Sequence, residues 1–381
     1  MSWITVRLGF SGKSLLQKDF REWKHDMDIA VRALATGLPP LYVTQQESFD
    51  FFRAHFELAA EEEALYRRLM MDGPIRGRFL GMDSTEEALE TDPDHLNARF
   101  LKAARTIGAD AARRAMAAAG LRPDDVGGLA VNTCTGYLCP GLSSYLAGDL
   151  GLPVAIKAID LAGMGCGGAL PNLECAAGWL AAGCAKPVLS VAVEICSATL
   201  FMGDDPGLIV SNSIFGDGAA ACVLDVFSEK SKPVLFRLLD FESAVFPEHR
   251  EQLRYRQEGG RLRNVLTRRV PAIGAKCARM VLERLLERNG LQLETVKWWA
   301  VHAGGSAVLD HLGEGLGLDR ERLRFSSEIF SEHGNMSSPS VLFAMRRVLD
   351  AGRPSQGDRG VLVTFGAGFS AFAALVEFGA A

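Results

Sequence analysis

Residues 163–170 read GMGCGGAL, and one cysteine, Cys166, stands among four glycines ahead of a small-residue helix. A thiol at a helix start meets the positive end of the helix dipole and unpaired backbone N–H groups, which favour the thiolate. A nearby imidazolium lowers a thiol's pKa further. Glycines at 165, 167 and 168 would let a substrate approach the backbone closely. That setting suits a nucleophile that carries an acyl group. The alternative is a buried core thiol, the ordinary state of a free cysteine. The chain has eight cysteines. The other seven lack this setting, although Cys134, Cys139 and Cys196 lie near turns. There is no CxxC pair and no Cys/His cluster with zinc spacing, so no metal is expected. Among the histidines, His302 alone follows an apolar strand, VKWWAV, and precedes a glycine turn. Asn335, in EHGNMSSPS, either caps a helix beginning at Met336 or donates its amide to a developing oxyanion.

The elements around these residues repeat. Residues 119–136 (AGLRPDDVGGLAVNTCTG) echo 289–305 (NGLQLETVKWWAVHAGG): a glycine helix stop, an acidic loop, a strand, a small-residue turn. Residues 149–183 echo 315–352, each read as a strand, a glycine turn and a helix. FGDGAAACVLDV (215–226) echoes FGAGFSAFAALVEF (365–378). In this alignment Cys166 matches Asn335, each at a helix start, and His302 matches Asn132. Two pseudo-symmetric α/β halves, 29–228 and 229–381, would bring Cys166, His302 and Asn335 to a shared axis; generic βαβ grammar is the other reading. Before the halves, residues 1–28 read as a polar leader. A strand is expected from Ile29, a long helical region over 44–72, and a helix over 97–119 closed by Gly120.

GMGCGGAL, HAGGSAVLDHL, SEHGNMSSPSVLF, NSIFGDGAAACVL and TFGAGF together resemble the type III polyketide synthases, the chalcone-synthase-like branch of the thiolase fold. The resemblance runs from about Ile29 to the C-terminus and implies an α/β, αβαβα layered architecture. It implies that Cys166 carries the acyl chain, that His302 is its partner and an oxyanion donor, and that Asn335 is the second donor. Phe215 resembles the gatekeeping phenylalanine between the CoA tunnel and the cavity. Arg68 is similar to a cation that grips CoA phosphates, or is a solvated helix charge. Thr135, Cys139, Cys196 and Ala198 match cavity-wall positions. Gly366 and Gly368 belong to the turn that shapes the cavity floor, where Thr364 and Ala367 replace the family's glycine and proline. Asn264 stands where plant members keep a bulky phenylalanine, leaving room for an alkyl chain. With the GGRLRNVLTRRVP and EICS segments, this resembles bacterial alkylresorcinol and alkylpyrone synthases.

The implied reaction loads an acyl-CoA on Cys166 and extends it by decarboxylative condensation with malonyl-CoA. No metal or redox cofactor is implied. The partners are CoA thioesters and a second copy of the chain, with the region near Cys139 close to the dimer interface. Two rivals are a single-condensation ketoacyl synthase of the initiation type and a non-catalytic acyl-CoA-binding subunit. Net charge is −5 with no block of like charges, so no attraction to nucleic acid is expected. No apolar run reaches signal-peptide length near the N-terminus and none spans a membrane uncharged, so the expected location is cytoplasmic.

Overall fold

The structure is a computed structural model that describes residues 28–227 and 233–379. All but Asp28 of the expected leader lies outside the described residues. The first half holds β1 (Ile29–Gly37), β2 (Leu41–Thr44), α1 (Gln45–His55), α2 (Ala60–Met70), β3 (Gly77–Leu80), α3 (Pro93–Ala119), β4 (Gly128–Asn132), α4 (Leu142–Leu150), β5 (Lys157–Leu161), α5 (Ala169–Ala181), β6 (Val188–Glu194), α6 (Pro206–Ile214) and β7 (Gly218–Val226). The second holds β8 (Phe236–Val245), β9 (Leu253–Glu258), β10 (Arg261–Leu266), α7 (Val270–Arg288), β11 (Trp298–Val301), α8 (Ser306–Leu316), α9 (Arg324–His333), α10 (Ser340–Arg347), β12 (Arg359–Gly366) and β13 (Ser370–Phe378).

The pairing repeats as the sequence echo does. In the first half β4 runs parallel to β6, while β6 and β1 each pair antiparallel with β7. In the second, β11 runs parallel to β12, while β12 and β8 each pair antiparallel with β13. A short β1–β8 pairing over Ile29–Val31 joins the two into one sheet of nine strands. The strand-by-strand match makes β1, β4, β6 and β7 the counterparts of β8, β11, β12 and β13.

Alternate residues on these strands separate three hydrophobic layers, because strand side chains point to opposite faces. Val188 and Ala192 of β6 and Ala374 and Val376 of β13 face a middle layer, where they meet Leu173 and Leu180 of α5 and Val341 and Met345 of α10. Leu189 and Val191 face outward against α3 and α4. Val361, Val363 and Leu375 face outward on the other side against α7 and α8. The order is helix, sheet, helix, sheet, helix: the αβαβα thiolase-like architecture in two pseudo-symmetric halves. The α3 helix has a proline at its start behind an Asp92 cap, and Gly120 ends it at φ 66°, a left-handed turn that glycine adopts without strain.

Two elements depart from the sequence reading. The region 44–72 is not one helix: Phe56 is extended at the end of α1, and the Glu62 carboxylate takes the Ala59 N–H to start α2 afresh. The strand expected in 315–352 is the helix α9. Phe325, Ile329 and Phe330 are buried at helical spacing, and this period overrides the echo. The second half therefore has no counterpart of β5, which stands as an exposed edge.

Candidate active site

Cys166 sits on a single 3-10 turn, Gly165–Gly167, that leads from β5 into α5. It is 8% exposed. The glycines around it serve the packing of the turn, and Gly165 also lines the pocket onto which the thiol opens. A Cβ on Gly165 would stand 2.8 Å from the Ala367 backbone nitrogen, one on Gly167 2.8 Å from the Phe372 ring, and one on Gly168 2.8 Å from the Asn132 amide. Gly165 and Gly167 let the second half close onto the cysteine turn, and Gly168 lets β4 of the first half approach it.

His302 follows β11 and is 1% exposed. Its N–H donates to the Val363 carbonyl on β12 at 2.9 Å. Its ring meets Phe365 edge-on at 5.5 Å, and its Nδ1 has no hydrogen-bond partner. Asn335 is 2% exposed and does not cap a helix at Met336, because α10 begins only at Ser340. Its Oδ1 accepts the Ser337 N–H at 2.8 Å, and its Nδ2 donates to the Gly304 carbonyl at 3.1 Å. Ser337 has a left-handed backbone at φ 58°, which costs a non-glycine residue roughly 1–3 kcal/mol. The Ser337 hydroxyl donates to the Cys166 sulfur at 3.3 Å.

These contacts close a circuit. Cys166 leads through Ser337 to Asn335, and Asn335 holds the carbonyl two residues after His302. His302 is pinned to Val363, and the Thr364 hydroxyl donates to the Gly167 carbonyl at 3.1 Å. The three residues, remote in sequence, are thus linked through β12 and the turn after α9, and of the three Cys166 is the one on the wall of the thiol pocket.

Burial works against the ion pair expected from the sequence. It pushes the Cys166 thiol up to about 12, against the lowering effect of the Ser337 hydrogen bond. It pushes His302 down to about 4. Both effects favour the neutral thiol and the neutral imidazole.

Sequence reasoning missed Glu194, which is fully buried at the end of β6. It accepts from the Cys134 N–H at 2.9 Å, the Thr135 hydroxyl at 2.9 Å and the Ser338 hydroxyl at 2.7 Å. Its Oε1 also lies 3.4 Å from the Ser337 hydroxyl, as an alternative acceptor to the Cys166 sulfur for that single proton. Burial raises its pKa against the lowering pull of these donors. The signal was present: a carboxyl inside the apolar run SVAVEICSA must be satisfied by donors or cost several kcal/mol.

A narrow pocket opens onto Cys166, lined also by Cys134, Gly165, Phe215, Tyr255, Asn264 and Ala367. Phe215 and Asn264 also line a second, mainly apolar chamber, with Phe51, Phe52, Leu208 and Cys196 on its walls. Phe215 is held by a parallel bridge to Asn335 and by the buried Arg78 guanidinium, which donates to its carbonyl at 2.9 Å. Phe215, Asn264 and Cys196 therefore stand on cavity walls. The other expected wall residues do not line these two spaces. The Thr135 hydroxyl is taken up by Glu194, and Thr135 and Ala198 face a separate hollow. Cys139 is exposed beside the β5 edge. Gly366 and Gly368 shape the turn, and Ala367 between them is the residue that reaches the pocket. Arg68 is exposed on α2 and makes no ion pair among the described residues.

The family model described as FAE1/Type III polyketide synthase-like protein matches residues 45–249, and that of the chalcone and stilbene synthases, C-terminal domain, matches 242–377. The chain belongs to the type III polyketide synthase family. A 3,5-dihydroxyphenylacetyl-CoA synthase from Streptomyces toyocaensis is 34% identical over 353 residues, 91% of this chain and 89% of that protein. An α-pyrone synthesis polyketide synthase-like protein, Pks18, from Mycobacterium tuberculosis is 28% identical, covering 89% of this chain and 88% of its own. The crystal structure of 1,3,6,8-tetrahydroxynaphthalene synthase from Streptomyces coelicolor, a bacterial type III polyketide synthase, superimposes with a TM-score of 0.85 at 27% identity, covering 92% of this chain and all of that one. As a type III polyketide synthase the protein is an acyltransferase, and the expectation drawn from its motifs is borne out at that level. No described helix is long and apolar enough to cross a membrane.

Proposed function

We propose that this type III polyketide synthase loads a fatty acyl-CoA with a long alkyl chain on Cys166, extends it iteratively with malonyl-CoA, and cyclises the product to an alkylresorcinol or alkylpyrone. The observation that carries the starter class is the mainly apolar chamber walled by Phe51, Phe52 and Leu208, which shares Phe215 and Asn264 with the thiol pocket. Burying an alkyl chain there gains about 0.8 kcal/mol per methylene.

The chemistry follows from the residues. The Cys166 proton passes to the His302 imidazole as sulfur attacks the thioester carbonyl, and CoA leaves with that proton. Two neutral partners suit a transfer that accompanies attack rather than precedes it. Malonyl-CoA then loses CO₂, and the electron pair of the broken C–C bond becomes an enolate. The enolate oxygen takes hydrogen bonds from His302 and from the second N–H of Asn335, whose first is spent on Gly304. The neutral ring can accept a proton in loading and donate a hydrogen bond to the enolate in decarboxylation. The enolate carbon attacks the Cys166 thioester, the sulfur leaves, and the longer chain returns from CoA to Cys166 for the next round. Loading, decarboxylation and extension balance with the chain's residues and the two CoA thioesters alone; lactone closure to a pyrone expels the Cys166 sulfur directly, whereas a resorcinol also needs water to cleave the thioester.

The test is product mass spectrometry with a panel of acyl-CoAs and malonyl-CoA. Long-chain starters should give CO₂ and alkylated resorcinols or pyrones. Turnover only with aromatic starters, or with malonyl-CoA alone, would overturn the starter class and leave the family intact. A short starter is the second reading, favoured by the bulky Tyr255 on the wall of the thiol pocket.

The protein is proposed to act in the cytoplasm as a homodimer. The β5 edge supports the dimer: Ile159 is 39% exposed, Tyr137 51%, and Val154 fully so. A bare sheet edge with apolar side chains invites a second copy. Sedimentation velocity should give twice the chain mass, and a monomer at micromolar concentration would refute it.

A further inference from the structure

Among the polar side chains on the wall of the thiol pocket, Asn264 is the one whose buried oxygen meets no donor, whereas the Arg254 Nε, also without an aligned hydrogen bond, is offset by its ion pair with Glu251. Ser337 bonds Cys166 or Glu194, Cys134 lies 3.4 Å from the Ser337 hydroxyl, the Tyr255 hydroxyl lies 3.3 Å from Thr199, and Arg254 pairs with Glu251 at 2.9 Å. Asn264 differs. It stands mid-strand in β10, opposite Tyr255 of β9, and is 6% exposed. Its amide oxygen has no hydrogen-bond partner, and it lines both the thiol pocket and the apolar chamber. A buried polar atom left bare costs the fold stability, so it calls for a role.

The chemistry of the chain on Cys166 supplies one. An unextended acyl thioester offers a carbonyl acceptor and an alkyl tail, with no donor for an amide oxygen. One extension creates a 1,3-dicarbonyl, which enolises. The enol O–H is a donor and the neighbouring keto oxygen an acceptor. A primary amide answers both, its oxygen accepting from the enol and its N–H donating to the ketone. Because an amide offers both functions, the match holds whichever way it is turned.

We propose that Asn264 is a specificity-determining residue that recognises the enolised 1,3-dicarbonyl of the extending chain and favours further extension over release. The proposal rests on the iterative extension described above and is independent of the starter's identity. Apolar tails pass Asn264 into the chamber without engaging it, whereas each new diketide unit meets it at the junction of the two cavities.

The experiment compares wild type with Asn264→Leu, which keeps the size and removes the amide. The ratio of the most-extended to the once-extended product is measured per turnover by mass spectrometry, with whichever starter the wild type uses. The leucine variant should lower that ratio about tenfold, equivalent to about 1.4 kcal/mol. Its thermal midpoint should equal or exceed the wild-type value, because a bare buried amide is gone, whereas a merely structural asparagine would lower it. A ratio within twofold of wild type overturns the proposal. Asn264→Ala gives the same readout should leucine not fit, with the same fall expected and the same overturning result. A wild-type enzyme that uses an unexpected starter contradicts only the starter class above. One that releases only once-extended chains contradicts this proposal and the iterative reading together.

Discussion

Gly366 is the point at which β12 touches the cysteine turn, and Gly366→Ala probes whether that contact positions Cys166. A Cβ there would lie 2.5 Å from the Gly167 nitrogen and 3.0 Å from the Cys166 nitrogen, and closer still to the Met164 carbonyl oxygen. Ordinary contact distances are about 3.5 Å or more, so the turn must retreat by about 1 Å. All three neighbours are backbone atoms, and no side chain can swing away instead. Overpacking of this kind costs about 1–3 kcal/mol of stability. A 1 Å misplacement of a reacting atom costs about a hundredfold in rate. The assay is single-turnover acyl loading followed by intact-protein mass, with thermal unfolding on the same sample. Gly178→Ala is the control: its Cβ would meet nothing within 4 Å on α5, and alanine in a helix there should add about 0.5–1 kcal/mol without changing loading. Wild-type loading by Gly366→Ala in a folded protein would refute the idea that β12 seats the nucleophile.

Two further outcomes follow from the site's electrostatics. Burial raises Cys166 to about 12 and lowers His302 to about 4, so the reactive thiolate is scarce at neutral pH and grows as pH rises. Iodoacetamide inactivation should therefore rise about tenfold per pH unit between pH 6 and 9; a flat profile across that range would reveal a preformed thiolate–imidazolium pair. Glu194→Leu removes an acceptor shared by Cys134, Thr135 and Ser338. Each donor left bare costs about 1–3 kcal/mol, so urea unfolding should show a loss of at least about 3 kcal/mol, and a loss under 1 kcal/mol would show that water satisfies them.

Much of this architecture is legible from local signals that the fold preserves. Pro93 and Gly120 bracket α3 because each has the backbone its helix end requires, and the repeated glycine-stop, strand and turn pattern anticipates two matched sheets. The echo fails at α9, where the buried spacing of Phe325, Ile329 and Phe330 makes a helix of a presumed strand. Cys166, His302 and Asn335 stand out as residue types, but the ring joining them does not. It runs through backbone carbonyls of Gly304, Val363 and Gly167, which no side-chain pattern advertises. The glycines beside Cys166 suggest open space in sequence, yet their missing Cβ atoms are replaced by Ala367, Phe372 and Asn132 from distant segments. The charge states were also out of reach, because burial sets them and burial is a tertiary property.

The central claim is that Cys166 carries the acyl chain while His302 and Asn335 hold the enolate. Intact-protein and peptide mass spectrometry after mixing with a starter acyl-CoA tests it most directly. The account predicts a single acyl adduct mapped to Cys166 in the wild type, none in Cys166→Ala, and a persisting adduct without malonyl-CoA decarboxylation in Asn335→Ala. An acyl adduct on the Cys166→Ala protein would contradict it.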